Sequence, residues 1–372
     1  MQLTDQLKTF ADSKQKQHRQ HQFVDRQTGE VRNETLLYDR HIRWMYSSLR
    51  ESAPWVFKWI SSSPAINDWL ATINFDKPIR DSQGVFSSLV ERTGVRMDEL
   101  LEPMPASPTW RDFFGRQIRF WDCRPMSPDP RRIVAPCDSR LLLGNLTQQH
   151  KLQIKEKFFS LAELLDKKNA WVQKFSDADW AIFRLTPEMY HYNHCPVAGA
   201  VVDFYEIGGA YHSCNPTACV ETVTPYSKNR RFVTIFDTDV PGGTGIGKVA
   251  MIEVVALLIG RVRQCYSHSQ YKLPTTMYEG LMCKRGAVKS VFEPGSSTVV
   301  LLFEKNRVKF DSDLLSNQAR NDVFSRFGQG FDAPMVETEL QVRSGIGTAL
   351  DAAGNKRLPR LVTDWNIHEL ST

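Results

Sequence analysis

The sequence predicts an α+β protein in which an N-terminal helical region precedes a β-rich core. Two textures carry this reading. Residues 36–60 hold a dense set of large apolar side chains, among them Trp44, Met45, Trp55, Phe57 and Trp59. From about residue 130 the texture changes to short β-branched and aromatic runs bounded by Gly, Pro and Asn, too short for helices. With 372 residues and 41% hydrophobic content, the chain can bury a substantial core and is not disordered by composition.

Taken in order, residues 1–35 form a polar, Gln-rich N-terminal segment, with some order expected near "HQFVDRQTGEV". Residues 36–120 form a helical region. Pro54 divides its first part into two helices, because proline removes a donor and clashes with the preceding turn. Arg40, Arg43, Arg50 and Lys58 are interleaved with the tryptophans. The segment reads either as a helical pair packed on the core or as a membrane-interfacial anchor with cations over anionic lipid. The β-rich core spans 121–345. Its strands are expected in "RRIVAPCDSRLLLGNL", "WAIFRLTP", "VAGAVVDFYEIGGAY", "RRFVTIFDTD", "KVAMIEVVALLIGRV" and "STVVLLFEKNRVKF", with one helix inserted at "SLAELLDKKNAWVQKF". Residues 346–372 form a C-terminal tail.

The formal charge of +5 is mild, and no Lys/Arg block could track a phosphate backbone, so nucleic acid is not an expected partner. The seven cysteines include no CxxC pair and read as reduced thiols rather than a disulfide frame or zinc site. No secretory signal and no run of about 20 apolar residues is visible. The expected location is therefore cytoplasmic, or peripheral on the cytoplasmic face of the membrane.

Four short stretches bear on chemistry. "GGTGIGKV" (242–249) matches most of a phosphate loop, but Val249 stands where Ser or Thr should hold the metal. A strand rather than a helix follows it, so a glycine-rich turn between strands is expected. "MYHYNHCP" places His191 and His194 three residues apart. These could ligate a metal, satisfy the core, or act in catalysis; no metal is assigned. "VAPCDSR" sets Asp138 in a turn between strands, where an Asp commonly makes local backbone bonds. "FEPGSSTVVLLF" sets Ser296, Ser297 and Thr298 against a strongly apolar strand, which turn chemistry alone does not require. Together Ser296 or Ser297, His194 and Asp138 supply the residue types of a nucleophile, a base and a group that orients the base.

These stretches, in this order, resemble the phosphatidylserine decarboxylase family, whose members are pyruvoyl-dependent enzymes made as self-cleaving proenzymes. "TWRDFFGRQIRFWDCRPM" resembles the family's FFxR and RP entry segment. "VAPCDSR" resembles SPxDG, "YHYNHCP" resembles YHRxHxP, and "GGAYHSCNPTA" resembles YxVNPxA. "NRR" resembles NxR, "IEVVALLIGRV" resembles VGAxxVG, and "PGSSTVVLLF" resembles the cleavage motif.

The resemblance implies that the core is a decarboxylase core that cuts itself between Ser296 and Ser297. Ser297 would attack the Ser296 carbonyl, with His194 as base and Asp138 behind it, and the ester would then eliminate. Ser297 would become a covalent pyruvoyl cofactor, the electrophile for the substrate's amine. His191 or His194 would assist decarboxylation. The implied reaction converts phosphatidylserine to phosphatidylethanolamine and carbon dioxide. Implied partners are the phospholipid, an anionic membrane surface and the chain's own two fragments, with a homodimer as a candidate assembly.

Four departures bear on this. Tyr192 replaces the usual Arg, Ser139 and Ser296 replace glycines, and "KRGAVKSVF" lacks an acidic residue after Gly286. A phosphodiester needs a cation that Tyr192 cannot supply. Tyr192, Arg230, Arg231 and Lys284 are therefore candidate substrate contacts. Two alternatives stand beside the leading one: a pyruvoyl-dependent decarboxylase of a free amino acid, and a non-cleaving lipid- or protein-binding relative.

Overall fold

The computed structural model describes residues 21–34, 94–146, 158–209, 225–255, 261–294, 297–331 and 333–350, with a few isolated positions between 76 and 91. The expected helical pair at 36–60, most of the 36–120 region, residues 1–20, Gly295, Ser296, the "AYHSCNPTA" stretch with Cys214 and Cys219, and residues 351–372 lie outside the described set.

Sixteen strands are described: β1 (Gln22–Asp25), β2 (Val31–Asn33), β3 (Arg132–Val134), β4 (Ser139–Asn145), β5 (Asp179–Leu185), β6 (Tyr192–His194), β7 (Gly199–Ile207), β8 (Arg231–Asp237), β9 (Lys248–Val255), β10 (Val262–Ser267), β11 (Met282–Cys283), β12 (Val288–Phe292), β13 (Ser297–Phe303), β14 (Val308–Phe310), β15 (Glu337–Leu340) and β16 (Gly345–Ala349). Ten form the main sheet, in the order β11-β7-β8-β9-β13-β5-β4-β15-β1-β2. Two three-stranded sheets, β10-β12-β6 and β14-β16-β3, complete the set. All the expected core runs form strands, so the β-rich core is borne out.

Alternation along the main strands creates two apolar faces. Leu185, Met251, Val255, Val299 and Leu301 face both small sheets and pack with Cys195, Phe292, Ile133 and Ile346. Ile182, Ile252, Val254, Val300 and Leu302 face the other way, onto Phe158, Leu164, Phe175 and Phe327. β13 is central and buried along its whole length, which explains its nearly continuous apolar sequence.

Three local outcomes differ from or sharpen the sequence reading. The helix expected at "SLAELLDKKNAWVQKF" is two helices, Leu161–Leu164 and Asn169–Lys174. Asp166 and Lys167 between them have φ of 57° and 55°, outside the right-handed helical region. The glycine-rich stretch is a β8–β9 turn followed by strand, as expected. There the Thr238 hydroxyl donates to Gly247 O at 2.7 Å and accepts the Ile246 N–H at 2.8 Å. The polar N-terminal segment supplies β1 and β2, and β1 pairs in parallel with β15 from the far end of the chain.

This end of the main sheet is clamped by buried charge. Glu34 accepts two bonds from Arg184, at 2.9 and 2.7 Å, and lies 2.6 Å from Arg140. Glu337 pairs with Arg184 and lies 2.7 Å from His21. His21, Glu34 and Glu337 cluster closely enough to suggest a metal site. The two guanidiniums already balance the carboxylates, however, so the cluster reads as an ion network.

Candidate active site

Ser297 opens β13. Its register partners are Leu185 on β5 and Val255 on β9, both of which face the small sheets. Ser297 therefore points into that same layer, and it is buried.

The opposite wall of the layer is β6 and β12. Asn193 lies opposite Ser290, and the Phe292 N–H donates to His191 O at 3.0 Å, which extends the ladder to His191. His191, Asn193 and Cys195 thus share the face toward the main sheet, with Phe292 beside them. The His191 Nδ1–H donates to Met189 O at 2.8 Å, so its Nε2 carries the lone pair. The ring packs 4.5 Å from that of Phe114. Phe114 is delivered by the short helix Trp110–Phe114, which starts with a capping box. Thr109 accepts the Asp112 N–H, and Asp112 accepts the Thr109 N–H.

His194 lies on the reverse face, with Tyr190 and Tyr192. Its Nδ1–H donates to Gly286 O at 2.9 Å, and its Nε2 accepts the Tyr190 hydroxyl at 3.1 Å. Gly286 has φ of 73°, and a Cβ there would approach Met126 Sδ to 2.5 Å, so glycine is required for the turn that aims this carbonyl. Burial pushes His194 down to about 4; Arg343 and Arg124 push the same way, against Gly286 O and Asp138.

Asp138 comes close to His194 through backbone. The His194 N–H donates to Pro136 O at 2.6 Å. The carboxylate itself is held elsewhere: Arg124 donates to both oxygens, at 3.1 and 2.9 Å, and the Val342 N–H donates at 2.7 Å. The structure thus brings the Asp138 turn and β6 together, but the side-chain bonds do not run Ser297–His194–Asp138. His191, not His194, shares a layer with Ser297.

The candidate substrate contacts divide. Tyr192 is buried in an aromatic cluster, stacked 5.5 Å from Tyr190, and accepts from Gln117 at 3.2 Å. Arg231 pairs in register with Val254, which places it on the helix-covered face, away from Ser297. Its guanidinium donates to the carbonyls of Leu164, Asn229 and Glu163. Burial, the largest influence on it, lowers Arg231 to about 10. Arg230 lies on the Ser297 side and donates to Glu206 at 2.5 Å. Lys284 is exposed.

Sequence reasoning assigned no role to three features. Tyr190 and Tyr271 sit 2.7 Å apart behind His194. Arg116 and Arg124 were legible as the arginines of "FFGR" and "CRP". In the layer itself, fully buried Glu253 and Lys289 pair at 2.7 Å. Glu253 also accepts from Ser290, from Asn193 at 3.3 Å and from Gln264 at 2.9 Å.

A cavity of about 310 Å³ lies beside the histidine-bearing segment. Met189, Tyr190 and Asp138 line it, along with Arg32, Arg96, Arg116, Arg124 and Arg140. The carboxylates on its wall are Glu99, Asp138, Glu188 and Glu339, so cations exceed anions by one.

The sequence matches known proteins. The family model described as phosphatidylserine decarboxylase matches residues 110–329, more than half of the chain. The chain is similar to the phosphatidylserine decarboxylase proenzyme of Fusobacterium nucleatum, 26% identical over 83% of this chain and 95% of that one. It is similar to the proenzyme of Chlamydia felis, 27% identical over 88% and 98%. It is also similar to that of Ruminiclostridium cellulolyticum, 29% identical over 73% and 80%. With Ser297, the two histidines and Asp138 all inside the matched residues, the chain belongs to the phosphatidylserine decarboxylase family of carboxy-lyases.

Proposed function

We propose that the chain is a proenzyme that cuts itself between Ser296 and Ser297 and then decarboxylates phosphatidylserine to phosphatidylethanolamine. One observation carries this reading: Ser297 stands at the first position of a central strand paired on both sides, pointing toward the side of β6 on which strand parity puts His191.

The Ser297 hydroxyl attacks the Ser296 carbonyl carbon, and the peptide bond is exchanged for an ester. A histidine takes the hydroxyl proton and returns one to the Ser297 nitrogen. His191 is the better placed for this, since its Nδ1–H is committed to Met189 O and its Nε2 is the basic nitrogen. Loss of the Ser297 α-proton then breaks the Cβ–O bond and frees the Ser296 carboxylate. Water enters, ammonia leaves, and a pyruvoyl group remains at position 297.

The residues fit that group. Ser297 supplies its carbons, and the layer holds polar atoms of Asn193, Ser290, Lys289 and Glu253. When formed, the group supplies an electrophilic carbonyl that accepts electrons during loss of carbon dioxide. The buried layer excludes water, and His191 is placed to hold or return a proton. The arginine-lined cavity offers a phosphodiester the cations that Tyr192 does not.

The test is intact mass under denaturing conditions, for the wild type and for Ser297→Ala. Two wild-type species, the smaller with a blocked N-terminus, and one uncut variant support the reading. An uncut wild type overturns it. Turnover of phosphatidylserine in detergent, set against free serine, decides the substrate.

A further inference from the structure

The segment joining β10 to β11 runs from Ser267 to Met282. It exposes Leu273 by 90%, Tyr278 by 53% and Met282 by 43%. These are three of the six exposed large hydrophobics among the described residues, so the exposed apolar surface is concentrated here rather than scattered.

Leu273 and Gln270 have φ of 48° and 60°, a region such residues rarely adopt. The loop is tied into this shape. The Ser267 hydroxyl donates to Lys272 O, the Lys272 N–H to Ser269 O at 2.9 Å, and the Thr275 N–H to Tyr266 O at 2.8 Å. Leu273 is therefore held out into solvent by a fixed turn rather than by a frayed end.

The charge around it is mostly positive. Lys272 and Lys284 are exposed, and Glu279 is the one carboxylate between them in the sequence. An apolar tip flanked by cations complements an anionic bilayer, where the apolar group enters the headgroup layer and the ammoniums meet lipid phosphates. The loop also reaches the histidine strand. Tyr271, two residues before Leu273, lies 2.7 Å from the Tyr190 hydroxyl, which donates to His194.

We propose that the Ser267–Met282 loop docks the protein on an anionic phospholipid bilayer, with Leu273 and Tyr278 entering the headgroup layer beside Lys272 and Lys284. The proposal rests on the reading of a lipid substrate given above.

The experiment is co-sedimentation of the full chain with phosphatidylcholine vesicles, with and without phosphatidylserine, for the wild type, Leu273→Asp and Lys272→Glu. The expected result is wild-type binding that requires phosphatidylserine and falls on the order of tenfold in each variant. Self-cleavage and turnover of detergent-dispersed substrate should stay at wild-type levels. Wild-type vesicle affinity in Leu273→Asp overturns the proposal. So does a shift of Leu273→Asp from dimer to monomer in lipid-free buffer, which would make the loop an interface between two copies. Failure of the functional reading is separately visible, as an uncut wild type that turns over no dispersed lipid.

Discussion

The Tyr190 hydroxyl lies 3.1 Å from Nε2 of His194, on the face of β6 that turns away from Ser297. His194 therefore spends both ring nitrogens on the far side of its strand, while His191 faces the layer that Ser297 enters. His191→Ala is expected to slow self-cleavage by at least about a hundredfold, the usual loss on removing a general base. His194→Ala should slow it less. Time courses of fragment appearance decide this, and a complete block in His194→Ala alone would return the base role to that residue.

The buried, neutral His194 also makes stability depend on pH. Its folded pKa of about 4 lies below the ordinary 6.5, so the fold favours the uncharged ring. The unfolded chain binds the extra proton between these values, so stability falls as pH drops through that window. The contribution is full above about pH 6.5 and is lost toward pH 4, on the order of 3 kcal/mol in all. Denaturant titrations at several pH values should show this slope flattened in His194→Gln. An unchanged slope would mean that other groups carry it.

Glu253 and Lys289 are fully buried and tie the wall bearing Asn193 to the strand beside β13. Removing one partner strands the other charge. Lys289→Met or Glu253→Gln alone should destabilise by about 3–5 kcal/mol. The double change Glu253→Leu with Lys289→Met should recover most of that, since a well-packed apolar pair often replaces a buried ion pair without loss. Equal losses in single and double variants would argue against the pairing.

Arg231 separates a structural arginine from a substrate contact. It caps three backbone carbonyls on the face away from Ser297. Arg231→Gln should lower stability by about 1–3 kcal/mol, the range for leaving buried polar groups unmet, and leave KM for dispersed phosphatidylserine unchanged. A raised KM with unchanged stability would place it at the substrate.

β3, β4, β5, β7, β8, β9, β13 and β14 were legible because they combine β-branched residues with flanking breakers, and β13 shows its double-sided burial as an unbroken apolar run. The glycine-rich turn was legible for the same reason, since a strand pattern follows it. β6, β10, β11, β12, β15 and β16 were not, and β1 was expected only as local order near "HQFVDRQTGEV". β1 and β15 are short and pair across more than 300 residues of chain, and their carboxylates need distant or non-local partners: Arg32 for Asp25, Arg184 and His21 for Glu337, and Arg140 for Glu339. At the site, the residue types at 138, 191, 194 and 297 were legible, but their partners were not. Which histidine faces Ser297 depends on strand parity, and a three-residue spacing puts His191 and His194 on opposite faces of a strand. Arg124 takes Asp138 from a distance in sequence that no local pattern records.

The threading of the main sheet fixes what a cut before Ser297 would do. The smaller fragment would own β13 and β15, and each is inserted between strands of the larger one: β13 between β9 and β5, β15 between β4 and β1. Neither piece could leave without tearing ladders on both sides of two strands. Scission would thus alter the connectivity of the chain while leaving its topology in space interlocked. The new terminus would be anchored from its first residue, because position 297 already pairs with both Leu185 and Val255. Two polypeptides would then behave as one cooperative body, separable by denaturant and not by dilution.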